Sequence, residues 1–117
     1  MDKKLPIEPD KKFTHGPFSP MFHTATELIG KRWTAAILYS LFHETTRFSD
    51  LETSIPGLSS RMLSERLKEL ETAGLIQRNV IPETPVRVEY SLTAKGDALR
   101  PIFIAISHWA STWGIGS

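Results

Sequence analysis

Arg61, Ser64 and Lys68 recur three and four residues apart, a spacing that gathers a guanidinium, a hydroxyl and an ammonium on one side of a helix. Those groups suit a major groove: Arg forks onto guanine edges, while Ser and Lys reach bases or phosphates. Residues suited to catalysis or metal binding are scattered instead. His15, His23, His43 and His108 show no ligand spacing, and no cysteine, glycine-rich phosphate loop, nucleophile elbow or paired carboxylate occurs. The chain reads as non-catalytic, with no metal and no cofactor expected.

The helix that would carry these groups is written in the neighbouring residues. Pro56 and Gly57 break what precedes, Ser59 or Ser60 can cap free amides, and Leu63, Leu67 and Leu70 form one buried stripe. Gly74 stops it. With Leu63 at the centre of the buried side, steps of about 100° put Arg61, Ser64, Glu65, Lys68 and Thr72 outward, with Met62 and Arg66 on the flanks. A solvated face of mixed charge is the plain alternative for such a helix standing alone.

It is followed by a hairpin. Val86, Val88, Tyr90 and Leu92 alternate with Arg87, Glu89 and Ser91, the period of a half-buried strand, and Ile76 to Ile81 supply its partner. Pro82, Glu83, Thr84 and Pro85 make a stiff tip. Arg87, at the base of that tip, could lie along phosphates or in a minor groove, or could pair with a glutamate across the strands. Capped helix, glycine turn and projecting hairpin are the reading half of a winged helix-turn-helix, so the expected partner is double-stranded DNA.

Composition permits this reading without demanding it. At 117 residues the chain is large enough for one domain with a modest core. Fourteen Lys and Arg against thirteen Asp and Glu leave a net charge of +1, so positive charge has to be concentrated locally. From Ser59 to Lys68 the balance is three basic residues to one acidic. With no cysteines there is no disulfide framework, thiolate metal site or cysteine nucleophile. No apolar run has the length of a membrane span and no signal core opens the chain, so no membrane partner and a cytoplasmic location are expected.

The remaining elements must hold the reading half in place. Residues 1–20 read as an extended arm whose Leu5, Ile7, Phe13 and Phe18 could pack on a partner subunit. Residues 21–113 form the domain and 114–117 a tail. Met21 to Phe42 look like two helices broken at Gly30, with Phe22 on the first; Lys31 and Arg32 stand at the start of the second, where a phosphate contact would relieve their opposition to the helix dipole. Thr45 to Phe48 form an extended link, and Ser49 caps a brief helix through Ser54 with Asp50 and Glu52 in its first turn. Thr93 to Trp113 read as one helix too apolar for a single core. Its stripe of Leu99, Ile102, Phe103, Ile106, Trp109, Ala110 and Trp113 suggests a homodimer interface, with packing against Met21 to Phe42 as the alternative. A two-fold dimer would set two reading helices about one turn of DNA apart, on an inverted-repeat operator. A small apolar effector could sit among Phe22, Trp33, Phe103 and Trp109, although such aromatics also serve as plain core. The expected class is α+β, mainly helical, with a two-stranded wing and terminal helices forming the dimer interface.

Several motifs together resemble one family. Gly30-Lys31-Arg32-Trp33, Arg47-Phe48-Ser49-Asp50-Leu51, Ile55-Pro56-Gly57-Leu58-Ser59, the run from Met62 to Glu71 and the run from Pro85 to Thr93 are similar, in order, to the HxlR-type transcription regulators. The resemblance covers about Ser19 to Trp113. It implies a dimeric winged-helix protein related to the MarR group, with Ser59, Ser60, Arg61, Ser64 and Lys68 on the DNA-reading helix and Arg87 on the wing. Repression is the expected output, and a winged-helix protein-interaction module without specific DNA binding is the alternative. Many members carry a Cys-Pro pair before the first helix, and in several the thiol senses oxidants, quinones or aldehydes. Here the pair is Ser19-Pro20, and a serine hydroxyl cannot form the reactive thiolate.

Overall fold

The computed structural model describes residues 19–44 and 46–116. Among them six helices and three short strands follow one another: α1 (Pro20–Ile29), α2 (Thr34–His43), β1 (Thr46–Arg47), α3 (Phe48–Ser54), α4 (Ser60–Thr72), β2 (Ile76–Ile81), β3 (Arg87–Leu92), α5 (Ala94–Asp97) and α6 (Arg100–Thr112). Two compact units divide the chain, one ending at Ala35 and one beginning at Ala36. The expected arm up to Phe18 lies outside the described residues, and with it Phe18 as an interface residue.

In the first unit, Ser19 keeps an extended backbone and its Oγ accepts a hydrogen bond from the Phe22 amide at 3.1 Å, while Pro20 occupies the first turn. The Ser19 hydroxyl is spent on starting α1, and the residue is buried. The helix ends at Gly30, and a tight turn returns the Thr34 amide to the Lys31 carbonyl at 3.1 Å. Trp33 sits in that turn at φ 78°, a left-handed conformation costly for a bulky side chain. The break expected at Gly30 is thus present, and Lys31 and Arg32 occupy the turn just ahead of α2.

The second unit is organised around a leucine-rich core. Ile37, Leu38, Leu41 and Phe42 come from α2, Leu51 from α3, and Ile55 and Leu58 from the turn that follows. Leu63, Leu67 and Leu70 of α4 complete it from the other side, with Leu75, Ile76, Tyr90 and Phe103. The i, i+4, i+7 stripe read from the sequence is the buried face of α4. Gly74 follows at φ 79° and reverses the chain into β2.

Four expectations need correcting. The extended link expected before α3 is a short strand that does not stand apart from the two-stranded wing but joins it: the antiparallel sheet runs β1-β3-β2, because Thr46 and Arg47 pair with Tyr90 and Glu89. Two residues are too few to show alternation in a sequence. Val86, expected in the buried face of the hairpin, precedes β3 and is exposed. Ser49 does not cap α3; the chain passes straight from β1 into the helix, so the still-extended Arg47 takes the cap position without a side-chain bond, and only Asp50 is acidic in the first turn. The helix expected from Thr93 to Trp113 is two helices. Thr93 Oγ1 accepts from the Gly96 amide to cap α5, the Leu99 amide closes a tight turn onto the Gly96 carbonyl, and Pro101 opens α6.

Candidate nucleic-acid interface

Two helices and a turn set the reading face. Ser59 is the cap of α4, its Oγ accepting from the Met62 amide at 3.1 Å. One residue on, Ser60 donates its hydroxyl to Glu52 of α3. That bond ties the positioning helix to the reading helix across the turn at Ile55 to Leu58, and it occupies a hydroxyl the sequence assigned to DNA. Ser60 therefore also links the two helices. At the far end, Lys95 Nζ donates to the Ala73 carbonyl at 2.7 Å and Thr93 Oγ1 donates to the Gly74 carbonyl at 2.6 Å, satisfying carbonyls that α4 leaves unpaired.

Between those anchors the outward side of α4 carries Arg61, Ser64, Glu65, Lys68 and Thr72, all exposed as the periodicity requires. Arg61 is paired with Glu65 at 3.5 Å, yet its side chain is 89% exposed. A pair so open to water contributes little and yields readily to a phosphate or a base edge. Arg66, on the flank, is turned against Glu69 at 3.3 Å. The structure thus brings Arg61, Ser64 and Lys68 together on one free face. Lys31 and Arg32 belong to the first unit, in the turn before α2, with the Arg32 guanidinium 4.7 Å from the centre of the Trp33 ring.

The wing arginine behaves differently. Arg87 opens β3 opposite Ile81, and only 28% of its side chain is exposed. Its guanidinium lies 3.3 Å from Glu83 in the tip and 2.9 Å from Glu89 on its own strand. The glutamate alternative raised by the sequence is therefore realised, though along the strand and through the tip instead of across the ladder. The Nε hydrogen does not point at its carboxylate, so the contact with Glu89 is one of charge without a formed hydrogen bond.

Sequence reasoning missed the ground between α4 and the wing. An open cleft of about 670 Å³ is lined by Arg47, Ser49, Ser64, Arg78, Glu83 and Arg87 above the apolar floor of Phe48, Val88 and Tyr90. Arg78 belongs to no motif, and Arg47, although it opens the Arg47-Phe48-Ser49-Asp50-Leu51 motif, was read only as part of an extended link. The strand register was the signal that could have found Arg78, since Tyr90, its partner in β3, is buried on the side that α4 covers.

A helix-turn-helix with a reading face, backed by a small antiparallel wing, is the geometry against which the chain compares with known proteins. The model of the HxlR-like helix-turn-helix matches residues 28–116, most of the chain. The chain belongs to the HxlR-like helix-turn-helix family. An uncharacterized HTH-type transcriptional regulator of Bacillus subtilis, YvaP, is 55% identical over 94 residues, covering 80% of this chain and 87% of that relative. The B. subtilis regulator YodB is 45% identical over 91 residues, 78% of this chain and 81% of that one. Structures of YodB in reduced, diamide-treated and quinone-bound form superpose with TM-scores of 0.72, 0.70 and 0.71, at 45%, 44% and 39% identity; they cover 78%, 80% and 80% of this chain and 89%, 92% and 97% of YodB. This HxlR-like protein is a DNA-binding transcription regulator and not an enzyme. No helix among its described residues is long and apolar enough to cross a membrane.

The face expected to pair two copies divides in this HxlR-like regulator. Ile102, Ile106, Trp109 and Trp113 are 45%, 53%, 56% and 70% exposed and follow the i, i+4, i+7, i+11 spacing of a single stripe on α6. Phe103 does not join them. It turns inward, edge-on to Phe42 at 5.3 Å, because α6 is pinned there by Arg100, which donates to the Phe42 carbonyl at 2.7 Å and to Asp97 at 2.6 Å. Phe22, in the first unit, is exposed on α1.

Proposed function

We propose that this HxlR-like regulator works as a homodimer whose two α4 helices read an inverted repeat, and that occupancy of such a site represses the adjacent promoter. The exposed stripe of α6 is the observation that carries the reading: four large apolar side chains on one side of a helix are stable in water only when covered, and a second copy of the same stripe is a self-complementary cover. Ser59, Arg61, Ser64 and Lys68 face the major groove from α4, while Lys31 and Arg32 serve the sugar-phosphate backbone. Arg61 is the principal base-reading residue. Replacing it by alanine is expected to cost about 1–3 kcal/mol of binding to the preferred site while nonspecific affinity changes far less. Anisotropy titrations against preferred and scrambled duplexes measure both; an unchanged ratio of the two affinities refutes the assignment.

The signal to which the regulator responds is not thiol chemistry. YodB has been captured in diamide-treated and quinone-bound forms, whereas this chain has no cysteine and its Ser19 hydroxyl is a helix cap. Any effector is a small apolar molecule that forms no thiol adduct. Diamide is therefore expected to leave DNA affinity unchanged in a titration run with and without the oxidant; a reproducible loss of binding contradicts this account.

A further inference from the structure

We infer that the cleft between α4 and the wing is a seat for a phosphodiester of duplex DNA, gripped by Arg78 and Arg47, and that Arg87 is not the wing's phosphate contact. The inference rests on the chain being a DNA-binding regulator and concerns which cations do that work. Three guanidiniums and one carboxylate line the cleft, but they are not equivalent. Arg87 is held between Glu83 and Glu89 at 3.3 and 2.9 Å, so its immediate surroundings carry a net negative charge and repel a phosphate. Freeing it would leave two carboxylates uncompensated beside the DNA. Its work lies within the wing, where it ties the tip to β3.

Arg47 and Arg78 have no such hold. Both are exposed, and neither has an ion-pair partner among the described residues. Arg78 pairs with Tyr90, which pairs in turn with Thr46 on the other edge, so Arg78 projects from the side of the sheet that faces α4. Ser64 of the reading face lines the same cleft and can donate to the same anion. Arg47 pairs with Glu89 and so leaves β1 on the other face of the sheet from Arg78, reaching the cleft from its rim where β1 turns into α3. Two unpaired guanidiniums beside the reading helix supply the local positive charge that a chain with a net charge of only +1 needs for binding a polyanion.

The test needs no knowledge of the operator. A random-sequence duplex is titrated with the full chain at several salt concentrations, and log affinity is plotted against log salt. Arg78→Gln and Arg47→Gln are each expected to lower the steepness by about 0.9, one phosphate contact apiece, whereas Arg78→Lys keeps the slope because a point charge suffices. Arg87→Gln made together with Glu83→Gln, which removes the guanidinium without changing the wing's net charge, is expected to keep the slope whatever it does to the melting temperature, which is followed in parallel. Unchanged slopes for both Arg78→Gln and Arg47→Gln, in chains that melt as the parent does, overturn the assignment while leaving DNA binding intact. A slope lost with the charge-balanced Arg87→Gln, Glu83→Gln pair and kept with Arg78→Gln and Arg47→Gln also overturns it. A parent chain that binds no duplex at low salt overturns the assignment together with the reading beneath it.

Discussion

Placing aspartate at both Ile106 and Trp109 is expected to leave a folded monomer and to weaken binding to an inverted-repeat site by about a hundredfold or more, since the avidity of two linked reading helices is worth some 10²–10⁴. The two residues sit at the centre of the α6 stripe, each about half-exposed and outside the buried core, so the substitutions leave that core in place. In a dimer the new carboxylates would face one another across the axis, desolvated and unpaired, which association cannot tolerate. Ile104 supplies the control. It is as exposed as its neighbours but lies on the other side of the helix from the stripe, so Ile104→Asp is expected to leave the dimer intact. Light scattering after gel filtration gives the mass and anisotropy gives the affinity. A double variant that remains dimeric removes α6 from the interface.

Gly96→Ala is expected to cost about 3 kcal/mol, the upper end of what overpacking costs. A Cβ at Gly96 would lie 2.0 Å from the Leu75 carbonyl oxygen, 2.9 Å from its carbon and 3.1 Å from Leu92 Cδ2. Leu92 can swing its methyl aside, but the Leu75 carbonyl is backbone and cannot. The Leu75 carbonyl already accepts the Thr93 amide at 3.0 Å, and Thr93 both caps α5 and closes the end of α4. The added methyl therefore pushes on the joint that holds the reading helix to the base of the wing. Thermal unfolding followed by circular dichroism should show a midpoint lower by about 10 °C or more. A midpoint within two or three degrees of the parent's would show that the joint yields, contrary to this account.

The reading helix was legible because three different signals coincide on it: a stripe of leucines, a serine cap and a terminating glycine. Its free face followed from geometry alone. What the sequence could not show is which polar groups are already engaged. Ser60 gives its hydroxyl to a glutamate eight residues earlier, across a turn, and Arg87 finds its carboxylates in the tip and two residues along the strand. Both look free in a periodicity plot. Arg78 fails in the opposite sense, since it looks like ordinary strand filling until the register sets it opposite Tyr90. Phe103 and Ile102 are adjacent in a stripe too broad for one face, and only the anchoring of α6 through Arg100 sends the first inward and leaves the second outward. The short strand at Thr46 and Arg47 was legible, but its pairing with β3 was not, since two residues show no register; the split of the C-terminal helix was missed because it turns on Thr93 as a cap.

The central claim is that paired α4 helices read base pairs on a two-fold site. Repeated selection of duplexes from a random pool by the full-length chain, followed by sequencing, tests it most directly. The account predicts an enriched inverted repeat whose half-sites are about one helical turn apart, roughly 10 base pairs from centre to centre, with enrichment lost in Arg61→Ala. Enrichment of a single unrepeated element, or of no sequence at all, would contradict it.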